Sequence, residues 1–194
     1  MAVKQARQDF EWRGVNHIAM VCKDMAKTVE FYRDILGMPL VKTLDLPRGM
    51  GQHFFFDIGK GDSLAFFWFP DSPEGQAGIS APKNLPGSGS FVSANGSMNH
   101  LAFDVPPEKF EDYHAKLKAR GVAVSSIRNH DNSVSQISNE MSPEVYIRSF
   151  YFFDPDGACL EVACWTGALK PSDVAHEPMT AEGVKAKGVV FERA

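Results

Sequence analysis

The sequence predicts an α+β protein of two tandem βαβββ modules, and three observations carry that prediction. First, residues 15–37 (VNHIAMVCKDMAKTVEFYRDILG) and 98–121 (MNHLAFDVPPEKFEDYHAKLKARG) repeat one pattern: Asn-His opening an apolar run, a few turn residues, an amphipathic stretch with Glu-x-Tyr, and a closing Gly. Second, three more strand-like stretches follow each copy. Third, the last two stretches of each set are joined by turn chemistry, Gly59-Lys60-Gly61-Asp62 in one and Asp154-Pro155-Asp156-Gly157 in the other.

The elements follow in order. Residues 1–13 read as an N-terminal arm and 14–69 as the first module. Its helix starts at Asp24, a side chain able to accept from unpaired first-turn N–H groups, carries Met25, Val29, Tyr32 and Ile35 on one stripe, and stops at Gly37. Strands are expected over 39–44, 52–58 and 63–69. Residues 70–97 hold four Pro and five Gly without any period and read as a linker loop. The second module covers 98–165; its helix opens at Pro106-Pro107, where a missing N–H costs nothing, and ends at Gly121. Its strands are expected over 122–127, 145–153 and 158–165, and a polar tail, 166–194, follows.

Twenty Lys and Arg against 24 Asp and Glu give a net charge of 20 − 24 = −4, which argues against a nucleic-acid partner. A chain of 194 residues can bury roughly 70% of its unfolded surface and needs no disulfide to fold. Cys22, Cys159 and Cys164 follow no zinc-finger spacing and read as small core residues. The longest apolar run, 64–69, is too short for a membrane span, and the first twelve residues hold no apolar signal segment. No membrane partner and a cytoplasmic location are expected.

Side chains alternate across a strand, so His17 shares a face with Ala19 and Val21 while Ile18 and Met20 turn toward the helix. By the same arithmetic His100 lies with Ala102 and Asp104, and Glu161 with Cys159 and Ala163. Two imidazoles and a carboxylate thus occupy sheet faces away from the helices, where burial is costly unless something satisfies them. A divalent metal would satisfy all three, and two His with one carboxylate is the arrangement of non-haem Fe(II) oxygenases. His17, His100 and Glu161 are the candidate ligands.

The duplicated unit, with NHIAMVCKDMAKTVEFYRDILGMPL early and FYFFDPDGACLEVACW late, resembles the vicinal oxygen chelate superfamily of glyoxalases, bleomycin resistance proteins and extradiol dioxygenases. The resemblance covers about residues 14–165. It implies a curved, cup-like mixed sheet around a metal, with His17, His100 and Glu161 as ligands, and a homodimer. Glyoxalase I adds a carboxylate ligand where this chain has Ala65, which cannot ligate. That departure turns the expectation toward single-domain extradiol dioxygenases, whose open metal positions accept a catecholate and O2. Those enzymes carry a Tyr ten residues ahead of the Glu, within a Ser-Phe-Tyr run matched by Ser149-Phe150-Tyr151. Two of their active-site His are replaced by Asp62 and Ser142, so Asp62, His53 and His130 are the candidates for proton transfer, beside Tyr151 as a hydrogen-bond donor.

The resulting expectation is an Fe(II) enzyme cleaving a catechol-like aromatic with O2, its aryl pocket drawn from Phe54, Phe55, Phe56, Phe66, Phe67, Trp68 and Phe69. The alternative is a glyoxalase-like lyase or isomerase holding a vicinal-oxygen substrate on Mn(II), Zn(II), Ni(II) or Mg(II). A third reading is a non-enzymatic ligand-binding protein of the bleomycin-resistance type.

Overall fold

Asp24 caps the first helix as its sequence position predicts: its Oδ1 accepts from the N–H groups of Ala26 and Lys27 at 3.0 and 3.1 Å. Helix α1, Met25–Val29, passes directly into a π-helical turn, Glu30–Ile35. The wider turn carries both Phe31 and Tyr32 inward. Gly37, at φ 80°, then lets Met38 N reach back to Tyr32 O at 2.9 Å and ends the helix. The computed structural model describes residues 14–170, 173, 176 and 178–185; the N-terminal arm expected over 1–13 and the remainder of the tail lie outside the described residues.

Strands β1 (His17–Cys22), β2 (Leu40–Leu46), β3 (Gly51–Gly59) and β4 (Asp62–Trp68) form one mixed sheet in the order β1-β4-β3-β2. Strands β5 (Leu101–Asp104), β6 (Arg128–His130), β7 (Ile147–Phe153) and β8 (Cys159–Trp165) form the second, in the matching order β5-β8-β7-β6. In each sheet the first strand pairs parallel with the last and the other neighbours run antiparallel. Helix α2, Phe110–Ala119, follows a 3-10 turn at Pro107–Lys109. This is the α+β arrangement of two βαβββ modules that the repeat predicts.

One element differs. The strand expected over 122–127 lies instead at Arg128–His130. Residues 122–127 run beside β7, but there Ser125 Oγ takes the Tyr151 N–H at 2.9 Å while Ser125 N donates to Tyr151 O at 2.8 Å. A serine hydroxyl has replaced the backbone as ladder partner, so the regular pairing begins later.

Residues 15–166 make one compact unit whose two sheets share a core on their helix side. Met20, Phe56, Leu64 and Phe66 of the first module meet Phe150, Phe152, Leu160 and Val162 of the second in that core. The Phe31 and Phe152 rings lie 6.3 Å apart, and Tyr32 Oη donates to the buried Asp154 Oδ2 at 2.9 Å. Asp154 Oδ1 also accepts from the N–H groups of Asp156 and Ala158, which fixes the turn between β7 and β8 to the first module's helix. Burial keeps the Tyr32 phenol protonated far above its ordinary range, with the Asp154 charge adding to the effect.

The shared core takes much of the expected aryl pocket. Phe56 and Phe66 are fully buried in it, and Phe54 and Trp68 pack against it. Phe55, Phe67 and Phe69 alone of that run alternate onto the His17 face. The three cysteines are all buried, as expected of core filler. In the second unit, which includes the tail, Thr180 N donates to Val184 O in a tight reversal at 2.8 Å. No helix among the described residues is long and apolar enough to cross a membrane.

Candidate metal centre

The Asn-His dipeptide repeated in the sequence has one chemical role in both modules. Asn16 Oδ1 holds His17 Nδ1 at 2.7 Å, and Asn99 Oδ1 holds His100 Nδ1 at 2.9 Å. With Nδ1 engaged as donor, each ring presents the lone pair of Nε2, the tautomer a metal ligand requires. Asn99 is itself fixed, because its Nδ2 donates to Phe91 O at 2.9 Å and to Ser93 Oγ at 3.1 Å.

The second sheet brings a carboxylate to its histidine. Parallel pairing sets Ala102 beside Glu161, so Glu161 shares the face of His100, and the two approach at 2.9 Å between Nε2 and Oε2. Glu161 is 6% exposed. A carboxylate so buried needs a cation or several donors, and an Nε2 that presents its lone pair donates nothing to it, so a shared cation would satisfy both groups. The donor set, one imidazole Nε2 and one buried carboxylate oxygen, suits a borderline or hard divalent metal.

Antiparallel pairing adds the rest of this face. Tyr151 lies opposite Glu161, Ser149 opposite Ala163, and Arg128 opposite Ser149. Ser149 Oγ donates to Tyr151 Oη at 3.4 Å and stands 3.0 Å from His130 Nε2. Burial pushes the Tyr151 phenol up to about 12, and the Glu161 carboxylate pushes the same way, so Tyr151 is a proton-bearing donor at neutral pH. Burial lowers His130 and favours its neutral form. The linker loop contributes a wall: the Phe91 ring is 5.6 Å from His100 and 5.7 Å from Tyr151.

The first sheet places His17 on an exposed and mostly apolar face. Phe55 lies 6.0 Å from its ring, and His53 stacks on Phe67 at 3.6 Å. His53 Nε2 is buried without a partner, and desolvation, helped by the charge of His17, lowers the His53 pKa. Ala65 pairs with Ala19 in the register that pairs Glu161 with Ala102, so the missing carboxylate of the first module is confirmed as alanine.

Of the sequence candidates, His100, Glu161, Tyr151 and His130 come together on one face. His17 and His53 share the other sheet's open face, and among the described residues no three His, Cys, Asp or Glu side chains converge as a metal cluster. Asp62 is not brought to the site. It opens β4 in phase with Leu64 and Phe66, on the side opposite His17. Residue patterning missed Phe91, Arg128 and Ser149 as wall and polar lining. Ser149 was legible from the strand alternation it shares with Tyr151, and the repeated Asn before each His was a signal for Asn16 and Asn99. Nothing local marked Phe91.

The paired βαβββ architecture with histidines at the start of each module defines a class, and the sequence comparisons identify it. Residues 14–162 match the model of the Glyoxalase/Bleomycin resistance protein/Dioxygenase superfamily, and the chain belongs to that family. The metallothiol transferase FosB of Staphylococcus epidermidis is 30% identical over 158 residues, covering 81% of this chain and 86% of that protein. Two solved structures share the fold: a glyoxalase family protein from Enterococcus faecalis (TM-score 0.54, 21% identity, 78% of this chain and 98% of that one) and the fosfomycin resistance protein FosX from Listeria monocytogenes. The latter, a variant complexed with Mn(II) and 1S,2S-dihydroxypropylphosphonic acid, gives TM-score 0.51 at 22% identity, with coverage of 82% and 96%. The expected nearness to extradiol dioxygenases is not supported by these relatives, and neither are iron, O2 or an aromatic substrate.

Proposed function

We propose that this chain is a divalent-metal enzyme performing a redox-neutral lyase, isomerase or transferase reaction on a small substrate with adjacent oxygens. His100 and Glu161 of one copy and His17 of a second copy would hold the metal, Mn(II) being the first choice and Zn(II), Ni(II) or Mg(II) the others. The observation that carries this reading is the 2.9 Å approach of an Asn-held His100 to a buried Glu161. The names of relatives, a metallothiol transferase and an Mn(II) complex of FosX, support the redox-neutral choice over ring cleavage.

A second copy is supported by the direction of the faces. The two modules meet through their helix sides, so His17 and the His100–Glu161 pair look outward on separate sheets. The outward face of the first sheet and its margins leave Val21, Leu44 and Phe69 at 53%, 38% and 36% exposure, an apolar patch that association would bury.

The metal, when bound, supplies Lewis-acid polarisation of a substrate oxygen. Tyr151, protonated at neutral pH, donates to an oxygen that gains negative charge. Ser149 orients that phenol, and His130, neutral and 3.0 Å from Ser149 Oγ, can take up or return a proton at the end of the chain. His53, with an unpaired Nε2, offers an acceptor from the apolar face.

The test is metal binding and turnover in one preparation. Mn(II)-loaded protein is offered fosfomycin with L-cysteine or with water alone, and separately a panel of catechols with O2 uptake recorded. Metal-dependent epoxide opening without O2 uptake is expected; bound iron with catechol-dependent uptake overturns the reading. Sharing of the site between copies is tested by mixing His17→Ala and His100→Ala proteins. Random reassortment should restore roughly a quarter of the metal sites if each is shared, and none if each lies within one chain.

A further inference from the structure

We propose that Arg128 is the receptor for an anionic group of the substrate, an oxyanion such as phosphonate, phosphate or carboxylate, bound on the second-sheet face beside His100 and Glu161. The assignment deepens the function proposed above and rests on that face being the substrate site. Register carries the placement: Arg128 pairs with Ser149 at the step next to the Tyr151–Glu161 pair, so its side chain belongs to the same face. Its Nε is buried and has no hydrogen-bond partner. The ion pairs among the described residues join other side chains, and Arg128 takes part in none of them.

A guanidinium N–H withdrawn from water without an acceptor is costly, and such a group is retained where a ligand completes it. The planar fork suits two oxygens of one anion, which a neutral ligand would not satisfy. Ser149 Oγ and His130 Nε2, 3.0 Å apart, line the approach with neutral hydrogen-bonding groups, and the neighbouring Glu161 pairs with His100 rather than with Arg128.

The linker loop passes close against the guanidinium. Gly87, at φ 85°, lies so close that a methyl group there would overlap Arg128 Nη2. A few residues on, Phe91 packs against His100 and Tyr151. One loop therefore both flanks the arginine and walls the metal side of the face, so an anion on Arg128 would be held at a set distance from the metal-bound end of the same molecule.

The test titrates inorganic phosphate and methylphosphonate into the metal-free full chain by calorimetry, with thermal melts as a folding control. Arg128→Met should weaken phosphate binding by about tenfold to a hundredfold, as expected for charge-assisted hydrogen bonds, and Arg128→Lys by less, since charge remains without the fork. Gly87→Ala should weaken it as well by displacing the guanidinium, which keeps the test alive if Arg128→Met fails to fold. Glu161→Gln should weaken Mn(II) binding by at least about a hundredfold while leaving phosphate binding to the metal-free protein in place. Arg128-dependent phosphate binding without any Mn(II) binding would sustain the receptor and refute the metal reading. Equal phosphate affinity in wild type and Arg128→Met overturns the receptor. So does a wild type that binds no phosphate but falls apart into single copies on Arg128→Met, because a second copy would then be the guanidinium's partner.

Discussion

In both modules an Asn-His dipeptide holds its imidazole by Nδ1, yet the residues that register brings beside the two rings differ at every step. Ala65 stands where the second module has Glu161, Phe55 where it has Tyr151, His53 where it has Ser149, Phe67 where it has Ala163, and Leu44 where it has Arg128. The backbone was copied and the chemistry divided. One face supplies the carboxylate, hydroxyls and guanidinium, while the other supplies the imidazoles of His17 and His53 on an apolar wall. In the proposed function the metal and its substrate would sit between such halves, with charge on one side and an apolar wall on the other.

The largest way to break this contrast is to remove the carboxylate. Glu161→Gln should weaken Mn(II) binding by at least about a hundredfold, measured by competition with a chelator, because a lost ligand costs more than a lost supporting contact. The reverse experiment writes the second module's chemistry into the first. Ala65 is fully buried, so Ala65→Glu should lower the stability of the metal-free protein by about 2–4 kcal/mol in urea unfolding, and added Mn(II) should recover part of it through the new ligand.

Tyr32→Phe tests the contact that aims the two faces outward. It leaves Asp154 short of one donor in a buried site and should cost about 1–3 kcal/mol of stability with little effect on metal affinity. Asn99→Ala frees the His100 ring and should lower Mn(II) affinity by about tenfold, whereas Asn16→Ala, on the exposed histidine, should cost less.

The smallest effects concern pH. His53 and His130 both have lowered pKa values in the fold, so the stability they contribute is present above the ordinary value of 6.5 and is lost as pH falls through their folded values. Acid unfolding monitored from pH 7 downward should therefore shift to lower pH in a His53→Gln, His130→Gln double variant. Tyr32 has the opposite sign: its raised pKa gives stability present below pH 10 and lost as pH rises beyond it, and Tyr32→Phe should flatten that alkaline limb.

The duplication, the Asp24 cap, the glycine at 37 and the alternation of both sheets were legible because each depends on spacing within one segment. The same spacing selected His17, His100 and Glu161, whereas Tyr151 entered through the Ser-Phe-Tyr run of the family resemblance and only strand register set it opposite Glu161. It failed at 122–127, where a serine hydroxyl displaced a strand ladder, and at Asp62, whose phase in β4 turns it from His17. It also assigned the phenylalanine run to a ligand pocket, although Phe56 and Phe66 belong to the core.

By itself the sequence determined two βαβββ modules and the residues that alternate onto each open face, since periodicity and turn chemistry are local. Only the tertiary structure decided which way those faces look. The Tyr32–Asp154 bond and the Phe31–Phe152 contact join the modules by their helix sides, and contacts between residues so distant in the chain leave no periodic trace in it. The same long-range packing brought Phe91 of an aperiodic loop onto His100 and Gly87 close to Arg128, giving the His100–Glu161 face a wall and a flanking guanidinium that local pattern could not reveal.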